Sequence, residues 1–175
     1  EGFLTLSPGQ GFYCRSLRPE KITELYQVRC ALETEAVIRA IETASDADLS
    51  SLSGHLDETE ATYFTSDDST ELARMDEEFH IELALRSGNQ ELVSLLTNVN
   101  ERIRYVRIVN LRQLRMQDDR NEPKGLTAHR LITQAVIDRD RETAMSLLRS
   151  HIERRSEEVV ELVKLAYSEL YVPQP

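Results

Sequence analysis

The chain has 175 residues, enough for one domain with a real core rather than a peptide or a multidomain assembly. Its 31 acidic and 21 basic residues leave a formal net charge of −10, which argues against nucleic-acid binding by this stretch itself, since phosphate contacts draw on Lys and Arg, while leaving room for a basic module beside it. No apolar run reaches the roughly 18 residues of a membrane span, no secretory leader is recognisable, and Cys14 and Cys30 match no CxxC or metal spacing, so they read as reduced thiols of a cytoplasmic protein.

Residues 1–18 stand apart from the rest. "EGFLTLSPGQGFYCRSL" alternates apolar and polar side chains around a Ser7-Pro8-Gly9-Gln10-Gly11 turn, the pattern of a short β-hairpin. From Pro19 the period becomes helical. Helix A is expected over about 20–43, with Pro19 in its first turn and a stripe of Ile22, Leu25, Arg29, Leu32 and Ala36. Ser45-Asp46-Ala47-Asp48 caps helix B, which runs to about 64. Helix C covers about 69–86 and stops at Ser87-Gly88-Asn89, where Gly88 suits a left-handed C-terminal position and Asn89 the next N-cap. Helix D is long, about 90–116, and a polar break follows at 117–125. Helix E is placed at about 123–138, and "DRD" joins it to helix F, about 140–170, before Pro173. Scarce Gly and Pro and short connections give an all-α, antiparallel bundle of six, or at most seven, helices, preceded by the hairpin.

Four histidines carry the chemistry. His80 lies on the apolar stripe of helix C with Leu72, Phe79 and Leu83, and Asp76 sits one turn before it on the same face. His129 aligns with Ile132 and Val136, and His151 with Ala144, Leu147 and Leu148. A buried carboxylate and several buried rings without partners would cost several kcal/mol. One divalent cation satisfies them all: imidazole nitrogens with one carboxylate oxygen form a common zinc shell that also suits nickel or manganese. The plain alternative makes Asp76 a salt-bridge acid facing Arg130 or Arg155. His55, beside Gly54 in a polar stretch, is expected at the surface. A di-iron centre needs a second Glu-x-x-His motif, and Leu126 and Leu148 stand where its glutamates would be.

Three stretches, "LYQVRCALETEAV" (25–37), "DEEFHIELALRSGNQEL" (76–92) and "AHRLITQAVIDRDRETAMSLLRSHI" (128–152), resemble the C-terminal effector-binding domain, called FCD, of FadR-type regulators in the GntR family. The resemblance spans roughly residues 20–165, with the "SGN" break and the histidines of helices E and F in order. It implies a bacterial transcription regulator and an all-helical bundle that holds a divalent metal, zinc foremost, through Asp76, His80, His129 and His151. Where the family usually has Glu before the histidine of helix E, this chain has Ala128, which leaves the ligand set intact. It also implies that residues 1–18 are the wing that ends a winged helix–turn–helix domain, that residues 19–175 form the effector domain, that operator DNA is read by a domain mostly outside this chain, and that the protein is a homodimer with no membrane partner.

A small carboxylic or sugar acid is the effector this likeness implies. Arg29 interrupts the apolar stripe of helix A and is the favoured clamp, since guanidinium and carboxylate pair bidentately; the competing reading is an internal ion pair with Glu33 or Asp76. Arg102 and Tyr105 on helix D are further effector candidates. The rival function is a metal-dependent hydrolase, for which an open metal position would activate water. No nucleophile elbow or phosphate loop supports it, so no catalytic residue is assigned.

Overall fold

The structure, a computed structural model, describes residues 4–7, 11–14, 18–117 and 124–171. Strands β1 (Leu4–Ser7) and β2 (Gly11–Cys14) pair antiparallel, from Leu4 opposite Cys14 to Ser7 opposite Gly11. Six α-helices follow among the described residues: α1 (Pro19–Thr43), α2 (Asp46–Thr65), α3 (Ser69–Leu85), α4 (Gln90–Gln117), α5 (Lys124–Ile137) and α6 (Arg141–Tyr171). The expected turn at 8–10, most of the 117–125 break, the start of helix E at Pro123 and the stop at Pro173 lie outside the described residues.

Local chemistry sets the helix ends. Pro19 occupies the first turn of α1, where its missing N–H costs nothing. Ser45 caps α2 by accepting from the Asp48 N–H, and Asp68 caps α3 by accepting from the Thr70 N–H at 2.8 Å. Gly88 adopts φ 67°, and Asn89 then accepts from the Leu92 N–H at 3.1 Å to open α4.

Helix α1 runs along α6 and also packs on α4 and α3, while α5 lies against α6 and α2. One core joins them, built from Ile22, Leu25 and Val37 of α1, Leu52 and Leu56 of α2, Phe79 and Leu83 of α3, Ile103 of α4, Ile132 and Val136 of α5, and Leu148 and Ile152 of α6. Each large side chain removed from water here contributes about 1.5–3 kcal/mol before ordering costs. The buried stripe of α1 is polar at its centre, where Arg29 and Glu33 sit between Tyr26 and Ala36. No helix among the described residues is long and apolar enough to cross a membrane.

The α5–α6 junction holds the one described non-glycine residue with positive φ, Arg139 at 54°. Its guanidinium reaches the C-terminus of α1, bonding the carbonyls of Ile41 and Ala44, and it meets Asp46 at the start of α2. Orphan carbonyls at a helix end and an acid on the next helix thus hold a left-handed residue that glycine would fill more easily. Replacing Arg139 by Ala removes these bonds and keeps the backbone strain, whereas Gly removes both. In urea melts both variants should be less stable than the parent, with Arg139→Gly milder than Arg139→Ala by up to about 1 kcal/mol. The reverse order would mean that the left-handed turn carries no strain.

Candidate metal centre

Helix α3 presents Asp76 and His80 one turn apart on its buried face. His129 of α5 and His151 of α6 enter from the other side, and all four residues are buried. Each offers a ligand atom, and these atoms lie within 4.8 Å of one another. His129 Nε2 is 3.3 Å from His151 Nε2 and 3.4 Å from Asp76 Oδ1, while His80 Nε2 is 3.9 Å from Asp76 Oδ2. A tetrahedral shell with bonds of roughly 2.0–2.2 Å has ligand–ligand edges of about 3.4 Å, so the spacing fits one ion at the centre. The rings also pack on one another, and Phe79 stacks on His129 with centroids 4.0 Å apart.

The charges suit a cation. Burial pushes the imidazole of His129 down to about 4 and, with His129 and His80 close by, that of His151 well below its ordinary value. Both rings are therefore neutral at pH 7 and keep the lone pairs a metal needs. Burial alone would raise the Asp76 carboxyl, but the Arg107 guanidinium and the neighbouring histidines outweigh it and hold the carboxyl well below the usual range. His80 Nε2 is buried with no hydrogen-bond partner at all. Three imidazoles and an ionised carboxylate around a shared centre are a donor set for Zn-type ions, and His80 Nε2 is an orphan that such an ion would satisfy.

A second ring of residues surrounds the four. Arg29 Nε donates to Glu33 Oε1 at 2.6 Å, and Glu33 Oε2 lies 2.5 Å from His80 Nδ1. Burial opposes ionisation of Glu33, but Arg29 and His80 win and lower it to about 2. From α4, Arg107 pairs with Asp76 and reaches Glu77 Oε1 at 3.2 Å, and Arg104 Nε bonds Glu77 Oε2 at 2.9 Å. On α1, Arg29 Nη2 and the Tyr26 hydroxyl are buried donors without a partner. The Tyr26 hydroxyl lies within the electrostatic reach of Arg107, Arg29, Asp76 and Arg155.

The sequence-based candidates thus divide. The four metal-ligand candidates converge. Arg29 is buried in an ion pair with Glu33 and still has a nitrogen to offer. Arg102 and Tyr105 are not brought to the cluster: they lie about 140° and 160° round α4 from Arg107, and Tyr105 is 70% exposed. Asp76 does have a guanidinium partner, but it is Arg107. Arg130 pairs instead with Asp57 and Glu60 of α2, and Arg155 with Glu158. His55 is half-buried on α2, away from the four, rather than at the surface. Missed in the sequence were Arg107, Tyr26 and the link from Glu33 to His80. In the structure Arg107 shares the buried face of α4 with Ile103, Val106 and Asn110.

Residues 24–154 match the sequence model of the FCD domain. Over 171 residues the chain is 30% identical to the Nta operon transcriptional regulator of Aminobacter aminovorans, covering 98% of this chain and 77% of that protein. It is 31% identical over 151 residues to an uncharacterized HTH-type transcriptional regulator, YdhC, of Bacillus subtilis (strain 168), covering 86% of this chain and 65% of that one. Among solved structures, a GntR family transcriptional regulator from Pseudomonas syringae pv. tomato str. DC3000 superposes with a TM-score of 0.70 at 18% identity, over 95% of this chain and 67% of that one. E. coli McbR/YncC gives 0.67 at 18%, over 91% and 77%. Streptococcus agalactiae GntR gives 0.63 at 22%, over 89% and 75%. At such identities the structures speak for a shared fold.

The depressed imidazoles fix how stability responds to acid. Between pH 6.5 and about 4 the unfolded chain binds a proton on His129 that the folded chain refuses, and His151 acts in the same direction. The state binding more protons gains as pH falls, so stability is lost through this window. Asp76 and Glu33, held low in the fold, add a further loss below the ordinary carboxylate range. Chelator-treated protein should lose roughly 1–3 kcal/mol of unfolding free energy between pH 7 and pH 5. A flat profile in urea titrations would show that these rings are not buried neutral.

Proposed function

The chain belongs to the FCD domain family as a transcriptional regulator of the GntR type, and we propose that its bundle is the sensing part, holding a divalent metal ion and a small organic acid beside it. Asp76, His80, His129 and His151 would hold the metal, with zinc fitting best and nickel or manganese also suited to the donors. The bound ion would supply positive charge and open positions for an anionic ligand. The observation that carries this reading is the convergence of four buried ligand atoms from three helices within 4.8 Å, with the Asp76 carboxyl ionised and the His129 ring unprotonated, as a cation requires.

Arg29 and Tyr26 support the acid. Both come from α1, both have buried donor atoms without partners, and both lie within electrostatic reach of Asp76. A carboxylate accepting from the two satisfies groups that otherwise cost free energy where they stand. Arg29 serves its ion pair and the ligand together, since Nε faces Glu33 and Nη2 is open. Arg102 and Tyr105 are left outside this clamp by their side of α4.

In this reading residues 1–18 are the end of a winged DNA-binding domain and residues 19–175 the effector domain, with operator DNA and a second copy of the chain as partners. The acid acts through unequal affinity for two arrangements of that dimer. The relatives are transcriptional regulators, and the chain is a regulator rather than an enzyme, which removes the hydrolase alternative.

A thermal-shift screen of small carboxylic and sugar acids, run with and without chelator, tests the reading. His129→Ala and His151→Ala should each abolish the stabilisation that chelator removes from the parent. If both variants keep it, the ligand assignment is wrong. Tyr26→Phe should keep that metal-dependent stabilisation and weaken the best acid by about 10- to 100-fold, the worth of one hydrogen bond to a charged group. Unchanged acid affinity, measured calorimetrically, would remove Tyr26 from the clamp.

A further inference from the structure

Resting on the metal reading above, we propose that Glu33 is a positioning residue: it takes the Nδ1–H of His80 on one carboxylate oxygen while Arg29 holds the other, so the lone pair of His80 Nε2 is aimed at the metal centre.

The geometry places the hydrogen between His80 and Glu33 on the ring. Glu33 Oε1 accepts from Arg29 Nε at 2.6 Å, and Glu33 Oε2 lies 2.5 Å from His80 Nδ1. A carboxylate paired with a guanidinium has only acceptor oxygens, so the hydrogen in the second contact belongs to Nδ1. With that hydrogen on Nδ1, the tautomer that can coordinate has Nε2 bare, the atom that stands 3.9 Å from Asp76 Oδ2 without a donor or acceptor of its own. The other two histidines of the set lack this support. His129 Nδ1 and His151 Nδ1 are buried with no partner, and His129 takes its ring plane from stacking on Phe79. His80 is therefore the ligand whose tautomer and direction are set before any ion arrives. Carboxylates that orient a ligating imidazole in this way commonly change metal affinity when removed.

The arrangement makes an unusual demand on substitution. In Glu33→Gln the single side-chain oxygen is claimed by the charged donor, Arg29, so the amide NH2 faces His80. It can only donate, which forces Nδ1 to accept and moves the ring proton to Nε2, into the centre. Removing the claimant reverses this. In Arg29→Met/Glu33→Gln the amide is free to turn, its oxygen accepts from Nδ1–H again, and Nε2 is bare. A second substitution should therefore restore what the first destroys, which a merely structural role for Glu33 does not produce.

The test reads two quantities on the full chain. Ring-nitrogen NMR of metal-free protein at neutral pH reports the tautomer of His80, and competition against a zinc chelator reports Zn affinity. The expected results are Nδ1–H in the parent, Nε2–H with Zn binding weaker by about 10- to 100-fold in Glu33→Gln, and recovery of both in the double variant. Nδ1–H in Glu33→Gln, or a double variant binding Zn no better than the single one, overturns the proposal. If Glu33→Gln does not fold, Arg29→Met/Glu33→Gln is compared with Arg29→Met/Glu33→Leu, both free of the buried charge. Only the first has an acceptor for His80, and equal Zn affinity overturns the role of Glu33. If the parent takes up no Zn, the metal reading falls, while the tautomers of the metal-free proteins still decide what Glu33 does.

Discussion

Asp76 is the charge on which the polar centre turns. A carboxylate withdrawn from water costs several kcal/mol unless its charge is answered, and removing one partner of such a pair leaves the other exposed to that cost. Here the countercharge comes from Arg107 of α4, while His80 of its own helix, His129 of α5 and His151 of α6 stand around it. Because α3, α4, α5 and α6 must all be in register for this to happen, the site and the fold specify each other. Helix α1 closes the set through Glu33 and His80. An apolar core of the same volume would hold the bundle together at least as well. The polar centre therefore imposes a cost on folding that an apolar core would not.

Much of this was readable in the sequence for a physical reason. Helices obey a period that apolar residues display, and their ends are written in short-range chemistry, so Pro19, Ser45, Gly88 and Asn89 mark boundaries the structure reproduces within a residue or two. The metal-ligand candidates were conspicuous because Asp76, His80, His129 and His151 occupy places that apolar residues hold on neighbouring turns. Arg29 was legible by the same test. What stayed hidden depends on how one helix is rotated against another. On α4 the arginines recur so often that periodicity does not separate the one facing Asp76 from those facing water, and Arg102 and Tyr105 fall on the wrong side. The Glu33 to His80 contact joins residues 47 apart in the chain, and no local pattern announces it. Tyr26 is not singled out by the sequence, because its unpartnered hydroxyl shows only once its surroundings are packed.

The arginines divide into two kinds by burial, and their energetic weight follows. Arg130 and Arg141 bridge helices at the surface to Asp57, Glu60 and Glu42, where water screens the pair and each contributes at most about 1 kcal/mol. Arg29 and Arg107 are buried and bound to acids whose loss would strand a charge. The centre is consequently far less tolerant of substitution than the acidic surface around it.

Charge balance then says why metal and acid should bind together. Without a metal the buried ions of the centre cancel in pairs, Arg29 with Glu33 and Arg107 with Asp76, while Glu77 is answered by Arg104 and Arg107. The histidines His129 and His151 add no charge at neutral pH, since burial keeps them unprotonated. A divalent cation placed among the four ligands would leave close to two positive charges uncompensated in a medium of low polarity, where such charges act strongly on their neighbours. An anion entering beside it restores neutrality and also meets the waiting donors of Arg29 and Tyr26. On the proposed reading each ligand would lower the cost of the other, and by linkage the coupling would be the same in both directions. A protein that had replaced Arg107 with a neutral residue would hold the metal more tightly by itself and would have less need of the acid. On the proposed reading, Arg107 against Asp76 would weaken the site for metal alone and so make occupancy depend on the effector, which is the property a sensor requires.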